Sequence, residues 1–585
     1  MRKFKTFKLN EGEKVLYDNL RKDVELEDIP SPILRILFNR GIRTKEEIMY
    51  NLLATTDNLI DIPMKDMSYF SDRLLRCFST QEKIVVMGDY DTDGTMATVI
   101  MVRGLRRLGL DVDYYMNSRF VDGYGLKSQS VDEIRKLYPD VSVIITVDNG
   151  IKSFEAVDYC NKLGVDVLIT DHHEPSSNGM IPNAYAVVDP KQVDCMYPFK
   201  ELCGAGVAYK CLRYLYKQHL GEDNYENDYL NSLLWIVGIA TVGDQVPLVS
   251  ENRIIVRQAL TTLNHPSNGI YFTNKLKEVL KIDAFKSDTI GYYISPMINA
   301  MGRVHGNPLQ VVEALLSYDE QFIDSVIEQI VKLNEVRREM TSEQTEIALG
   351  LVKEKTDNKC LVVASEKFTE GIVGLVAGRL TEKYHKPVLA MCIDEEGLMK
   401  GSARSIEGIN IVKALDSIAH LLTSYGGHEM AAGFSLDFDN LEELEEQLNS
   451  YMEQFEEEVF VDNVMIDLVL SESQINTDVC KMIDYLEPYG NSFPEPRIFI
   501  KSFNINGVKS LNNKCNSFYV GSKGETLRLV NDDNLVAVGF KAAEKFKSMG
   551  EPSSIGLIGV PKINEYNGYV NTQFVIEKDY VLKGV

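Results

Sequence analysis

With 585 residues, of which 44% are hydrophobic and 25% charged, the chain can build several apolar cores and has the composition of an ordinary globular protein. No apolar run approaches the ~18 residues of a membrane span; Met1-Arg2-Lys3-Phe4-Lys5 is not followed by a signal-like apolar stretch, so a cytoplasmic protein with no membrane role is expected. The nine cysteines have no Cys-x-x-Cys spacing, which argues against zinc and disulfide frameworks, and a net charge of −24 opposes nucleic-acid binding unless basic residues cluster.

Residues 1–75 read as an N-terminal segment. From about residue 83, short β-rich runs at 83–87, 112–116, 141–147, 165–170 and 184–188 alternate with helical stretches such as 95–108 and 153–163. Near-continuous apolar strands separated by helices predict a parallel sheet covered on both faces, in a first lobe over 76–315. A connecting helix is expected over 321–355, within a 316–356 segment, on a stripe of Phe322, Val326, Ile330, Leu333, Val336 and Met340, continued by Ile347 and Leu351. A second α/β lobe, 357–458, opens with the apolar run 361–364. It closes in a stretch, 437–458, that contains no Lys or Arg. Leu441, Leu444, Leu448, Met452 and Phe455 recur there at helical spacing, which predicts an amphipathic helix with a solvated acidic face. The remaining 459–585 carry short β-rich runs at 496–500, 517–520, 527–530, 535–538 and 574–577, a pattern expected of a small β-barrel or sandwich.

Polar clusters follow the strands of the first lobe, where sites form in parallel sheets. Asp89-Tyr90-Asp91-Thr92-Asp93-Gly94 follows the first run, Asp148 the third and Asp171-His172-His173 the fourth. Alternate carboxylates on a turn can aim two ligands at one point, and oxygen donors with an imidazole suit Mn²⁺ or Mg²⁺. Asp91, Asp93, Asp148, His172 and Asp244 supply enough donors for two ions with one carboxylate bridging them, an arrangement suited to phosphodiester hydrolysis.

The motifs 88–94, 147–150, 170–173 and 242–248 resemble those of the DHH phosphoesterase superfamily, and within it the RecJ family of single-strand-specific exonucleases. Arg119 with 123–126, the run 202–208, and Asn299-Ala300-Met301-Gly302-Arg303 extend the likeness, as do 401–405 and Gly426-Gly427-His428 in the second lobe. The tail, through 486–490, 494–496 and 564–568, resembles an OB-fold of the RecJ type. The resemblance implies Asp91, Asp93, Asp148, His172 and Asp244 as metal ligands, with Asp148 bridging, and Asp171 behind them. It implies catalytic roles for His173, for Asp89 as ligand or supporting partner, and for Arg303 on phosphoryl charge. Substrate contacts would come from Arg119, Asn299, Arg404, Ser405, Gly426, Gly427, His428 and Tyr566. Two departures stand out. Phe368-Thr369 replaces a Trp-His pair common in the family, and Tyr566 stands where a Trp is usual.

The function so implied is 5′→3′ degradation of single-stranded DNA to 5′-mononucleotides, in repair and recombination, with single-strand-binding protein and a RecQ-like helicase as partners. A phosphodiesterase on short RNA or cyclic dinucleotides is the alternative enzyme; the long C-terminal region argues for a polymer instead. A non-catalytic DNA-binding scaffold would have lost ligands, and here the inferred set is complete.

Overall fold

The computed structural model describes residues 2–121, 123–176, 178–221, 227–394, 397–505, 518–521, 524–566 and 569–583. They divide into two compact units, one of residues 55–462 and one joining 2–54 to 463–585.

In the first unit, strands β1 (Lys83–Gly88), β2 (Val112–Met116), β3 (Val141–Val147), β4 (Asp166–Thr170) and β5 (Ala186–Val188) form a sheet in the order β2-β1-β3-β4-β5. Every pairing is parallel. The inner strands are buried on both faces because helices cover both sides, which is why they read as near-continuous apolar runs, whereas the edge strand β2 carries Asp113 and half-buried tyrosines. Among those helices are α1 (Thr92–Arg107), α2 (Phe154–Leu163), α3 (Gly204–Leu220) and α4 (Leu234–Gly243). Gly88 pairs with both Met116 and Val147, Val147 with Thr170, and Thr170 with Val188. The residues that follow, Asp89, Asn117, Asp148, Asp171 and Asp189, therefore line up along one sheet edge.

The connecting helix α5 runs Glu320–Val352, started by Asp319, whose carboxylate accepts from the Gln321 and Phe322 N–H groups. Its buried face departs from the expected apolar stripe. Ile323, Val326, Ile327 and Ile330 are buried, but the middle of the helix buries Asn334, Thr341 and Gln344 instead. The second lobe is a mixed sheet of β6 (Leu361–Ser365), β7 (Val388–Ile393), β8 (Leu398–Arg404), β9 (Leu422–His428) and β10 (Ala431–Asp437), in the order β9-β10-β8-β7-β6. Helix α6 (Glu370–Tyr384) packs on β7 and β8. The acidic stretch folds as α7 (Leu441–Met452), burying Leu444, Leu448 and Met452 as expected. Part of its acidic face is paired, however, since Lys355 meets Glu445.

In the second unit the first fifty residues share one apolar core with the C-terminal strands. Ile33, Leu34, Leu37 and Phe38 of an N-terminal helix join Leu527, Leu529, Ala537, Leu557 and Phe574. Arg40 clamps Asp467 through Nε (2.9 Å) and Nη2 (3.1 Å), a bidentate pair at low exposure. Seven strands make one sheet here, running from Leu468–Leu470 at one edge to Tyr519–Val520 at the other, with the long pair Ser554–Tyr566 and Tyr569–Lys583 at its centre. Among the described residues the two edge strands do not pair with each other. The strand Ser554–Tyr566 is absent from the runs expected from sequence. Among the described residues no helix is long and apolar enough to cross a membrane.

Candidate metal centre

The Asp-rich turn joins β1 to α1. Asp91 is the N-cap of α1, its Oδ1 accepting from the Gly94 N–H at 3.0 Å. Asp93, one residue into the first turn, is buried and takes the backbone N–H groups of Gly204 (2.6 Å) and Ala205 (2.8 Å). Those amides open helix α3, so the positive end of a second helix holds the carboxylate in place. The close approach needs a glycine, because a Cβ at position 204 would lie 2.5 Å from Asp148 Cβ.

Asp148 ends β3 in the left-handed backbone region, at φ 62°, a strained conformation that concentrates at functional positions. His172 follows β4, and its Nε2 faces Asp148 Oδ1 (3.1 Å), Asp244 Oδ2 (3.6 Å) and Asp93 Oδ2 (3.7 Å). Asp244 is brought there by capping the carboxyl end of α4. Asp89 Oδ1, Asp148 Oδ1 and His172 Nε2 are all buried without a hydrogen-bond partner, a costly condition that a bound cation relieves. Ligand atoms converge in the sets Asp93-His172-Asp244, Asp89-Asp91-Asp148 and Asp148-His172-His173, each within 4.8 Å of one another. Asp148 belongs to two of them, and Asp89 stands among the donors. The donor set of oxygens plus one or two imidazoles fits hard divalent ions.

The charges support the same reading. Burial, then the Asp91 charge, pushes Asp89 well above the usual carboxylate range, and the same two causes bring Asp93 up to about 7. Burial and then Asp93 raise Asp148 and Asp244. Burial drives His172 well below its ordinary value, leaving a neutral ring able to ligate. His173 behaves oppositely. Burial disfavours its charge, but Asp171 outweighs burial and holds the ring up to about 9. The Nδ1 of His173 lies 2.7 Å from Asp171 Oδ1 and 3.0 Å from the Tyr124 hydroxyl. Asp171 also accepts the backbone N–H groups of Ile151, His172 and His173, so it orients the histidines from behind the ligands.

The second lobe meets this centre through His428, whose ring stacks on His173 with centroids 5.4 Å apart. Arg303 donates from Nη1 to Gly371 O at 3.1 Å, and burial with the charges of Arg119 and Arg404 lowers its guanidinium to about 9. Arg119 lies over the Tyr90 ring, 4.0 Å from its centroid. Arg404 is held by Ser402 Oγ (2.7 Å) and Ala403 O (2.8 Å). Gly426 lies on the exposed edge strand with open space beside it, whereas Gly427 is required by its neighbour strand, since a Cβ there would sit 2.3 Å from Ala431 O.

Two expected substrate contacts, Asn299 and Ser405, are placed differently. Asn299 spends its Oδ1 on the Thr92 N–H at 2.8 Å and so holds the Asp-rich turn. Ser405 is buried, its hydroxyl donating to Ile409 O at 2.6 Å, so it closes a local turn. Tyr566 ends the strand Ser554–Tyr566, with its side chain outside the described residues, as are Asn567 and Gly568 of the same motif. The pair replacing Trp-His is structural. Phe368 belongs to the core around α6, and Thr369 precedes that helix and bonds Gln344.

Sequence reasoning assigned no role to Gly204-Ala205, Tyr124 or Asp189. The first could have been found, because a glycine-rich start to a helix signals an anion seat. Asp189 could also have been found, because it follows the expected run at 184–188 as the other acids follow theirs.

The chain matches the models of the DHH family, N-terminal domain, over residues 83–239, the DHHA1 domain over 357–454 and the RecJ OB domain over 466–578. It is 33% identical over 572 residues to the single-stranded-DNA-specific exonuclease RecJ of Bacillus subtilis, covering 96% of this chain and 69% of that one. The Escherichia coli protein of the same name is 32% identical over 505 residues, 81% of this chain and 85% of its own. The fold is similar to that of Thermus thermophilus RecJ crystallised with Mn²⁺, with a TM-score of 0.80 at 24% identity over 99% of this chain and 80% of that one. It is also similar to an exonuclease RecJ bound to manganese, with a TM-score of 0.57 at 28% identity over 68% and 97%.

Proposed function

We infer that this chain, which belongs to the RecJ family of single-stranded-DNA-specific exonucleases, degrades single-stranded DNA by hydrolysing its phosphodiester bonds with two divalent ions. The observation that carries the reading is the convergence of two donor sets, Asp93-His172-Asp244 and Asp89-Asp91-Asp148, with Asp148 Oδ1 3.1 Å from His172 Nε2 and three buried donor atoms left unpartnered. Asp93, His172 and Asp244 would hold one ion, Asp89 and Asp91 the other, and Asp148 would bridge. Mn²⁺ or Mg²⁺ in such a pair lowers the pKa of a water and neutralises charge on the leaving oxygen.

The protein's own groups do the rest. Asp171 keeps His173 protonated and fixed, so His173 can hold a phosphate oxygen and deliver a proton toward the departing one. Arg303 of the first lobe and Arg404 of the second grip phosphoryl oxygens, and His428, packed on His173, steadies the Asp171–His173 pair. Gly204 and Ala205 keep Asp93 from swinging away. The direction, 5′→3′ with release of 5′-mononucleotides, follows the family resemblance. A role in repair and recombination in the cytoplasm follows likewise, with single-strand-binding protein and a RecQ-like helicase as suppliers of the strand.

The test is digestion of end-labelled single-stranded DNA, duplex DNA and single-stranded RNA with Mn²⁺ or Mg²⁺. Loss of the 5′ label first, on single-stranded DNA, is the expected result. Cleavage from the 3′ end, or preference for duplex, would overturn it.

A further inference from the structure

The polar middle of helix α5 faces helix α6. Gln344 and Thr369 exchange two hydrogen bonds, at 3.1 and 3.2 Å, and Arg379 Nη1 on α6 reaches Thr341 O and Thr345 Oγ1, both at 3.3 Å. Arg337 falls between Asn334 and Thr341 at helical spacing, on the same face. Its Nε donates to Asn334 Oδ1 at 3.0 Å. The start of α6 meets the Arg303 backbone and the Arg404 guanidinium from the other direction. A Cβ at Gly371 would lie 2.2 Å from Arg303 O, one at Gly374 2.8 Å from Arg404 Nη2, while beside Gly378 there is nothing within 4 Å. Arg404, Arg303, Arg337 and Arg379 thus lie on or against one helix, where Gly371 and Gly374 admit the close approach of Arg303 and Arg404 and open space lies beside Gly378.

In a chain of net charge −24 such cations should find carboxylates easily. Among the described residues, none of these four makes an ion pair with one. Glu335, Glu339 and Glu343 are exposed, turned away from Arg337 by helical spacing. Burial followed by like charges lowers the Arg303 guanidinium, and burial with Arg338 and Arg379 lowers that of Arg337. Partly desolvated like charges such as Arg303, Arg404 and Arg337 are unfavourable unless an anion lies among them, and Arg379 presents an exposed guanidinium beside them.

We propose that Arg337 and Arg379 form a second phosphate subsite, extending the Arg303–Arg404 pair along α5 and α6 and binding a phosphate of the single strand beside the one at the metal centre. This rests on the strand-cleaving reading above. The chemistry fits either an internucleotide phosphate or a terminal one.

The experiment measures strand binding in EDTA, where no cleavage occurs, for Arg337→Gln, Arg379→Gln and the double variant. Labelled oligonucleotides with 5′-phosphate and 5′-hydroxyl ends are compared across a salt series, and kcat and KM are then read with Mn²⁺. Each substitution should weaken binding roughly fivefold and lower the slope of log Kd against log salt by about 0.7, the value for one phosphate contact on a single strand. KM should rise with kcat unchanged. Arg337→Lys should restore the slope but only part of the affinity, because the planar fork is lost. Lys353→Gln, about 24 Å further along α5 at 1.5 Å per residue, should change neither. A loss confined to 5′-phosphorylated strands assigns a terminal phosphate; an equal loss on both assigns an internucleotide one. Unchanged Kd and slope in the double variant would overturn the subsite, as would weaker binding with an unchanged slope and a lowered Tm, or no strand binding by the wild-type protein. A changed Kd in a protein that cleaves no strand would instead retain the subsite and sink the exonuclease reading.

Discussion

In the first lobe the functional side chains stand at the carboxyl ends of parallel strands; in the second they stand on an edge strand and beside a glycine-lined helix. The first arrangement crowds acids. Register alone places Asp89, Asp148, Asp171 and Asp189 after paired residues of neighbouring strands, and burial raises three of the four. The second arrangement gathers Arg404 and His428 with Arg303 of the first lobe, and no carboxylate pairs with those arginines among the described residues. One side is built for cations and the other for anions, and a phosphodiester with its metals satisfies both. The contrast also shows how a strongly acidic chain can take a polyanion. Net charge counts every residue equally, whereas binding depends on the few cations that are left uncompensated at one place.

The strongest challenge to this contrast is Asp148→Asn, or chelation of the wild type. Either should lower kcat at least 10³-fold, as expected when a two-ion site is lost. Metal-free Asp148→Asn should melt higher than metal-free wild type, since one buried carboxylate is neutralised and Asn tolerates the left-handed backbone. Mn²⁺ should raise Tm in the wild type and scarcely in the variant; scanning fluorimetry reads both. An unchanged kcat would remove the acidic side of the comparison.

Gly204→Ala tests whether helix α3 really sets the acids. Displacing Asp148 by the added Cβ should cost about 10² in kcat, the usual penalty for a misplacement near 1 Å, with KM little altered. Arg404→Lys probes the cationic side, where the charge is kept and the fork is lost. An increase in KM of about tenfold is expected, as for one good charge-assisted contact. An equal fall in kcat alone would move Arg404 from substrate binding to the chemistry. The smallest effect should come from Asn299→Ala. A residue that supports the turn should lower kcat about fivefold, the loss of one hydrogen bond near 1 kcal/mol. A rise in KM would return Asn299 to the substrate contacts.

Much of the first lobe was legible because local and tertiary preferences agree there. The strands expected at 112–116 and 141–147 match β2 and β3 to the residue, β3 because an inner strand buried on both faces must be apolar and the edge strand β2 through its Val, Tyr and Met residues. The converging acids were legible because carboxylates directly after apolar strands are otherwise out of place. The mid-section of α5 was not. A helix that packs against another through Asn334, Thr341 and Gln344 hides its contact face from any hydrophobic pattern. Ser405 and Asn299 misled for a related reason, since a motif names a position without saying which backbone group its side chain meets.

By itself, then, the amino-acid order determined the parallel sheet, the acids at its edge and the hard-metal chemistry they allow, because each follows from neighbours within one strand and the turn after it. Only the tertiary structure decided that Asp89 stands among the donors, that α3 seats Asp93, and that residues 2–54 share a core with the C-terminal sheet. It also decided that Arg379 of α6 reaches Thr341 and Thr345 on α5. These depend on contacts between segments tens to hundreds of residues apart, which the packing of apolar faces selects and no local spacing encodes.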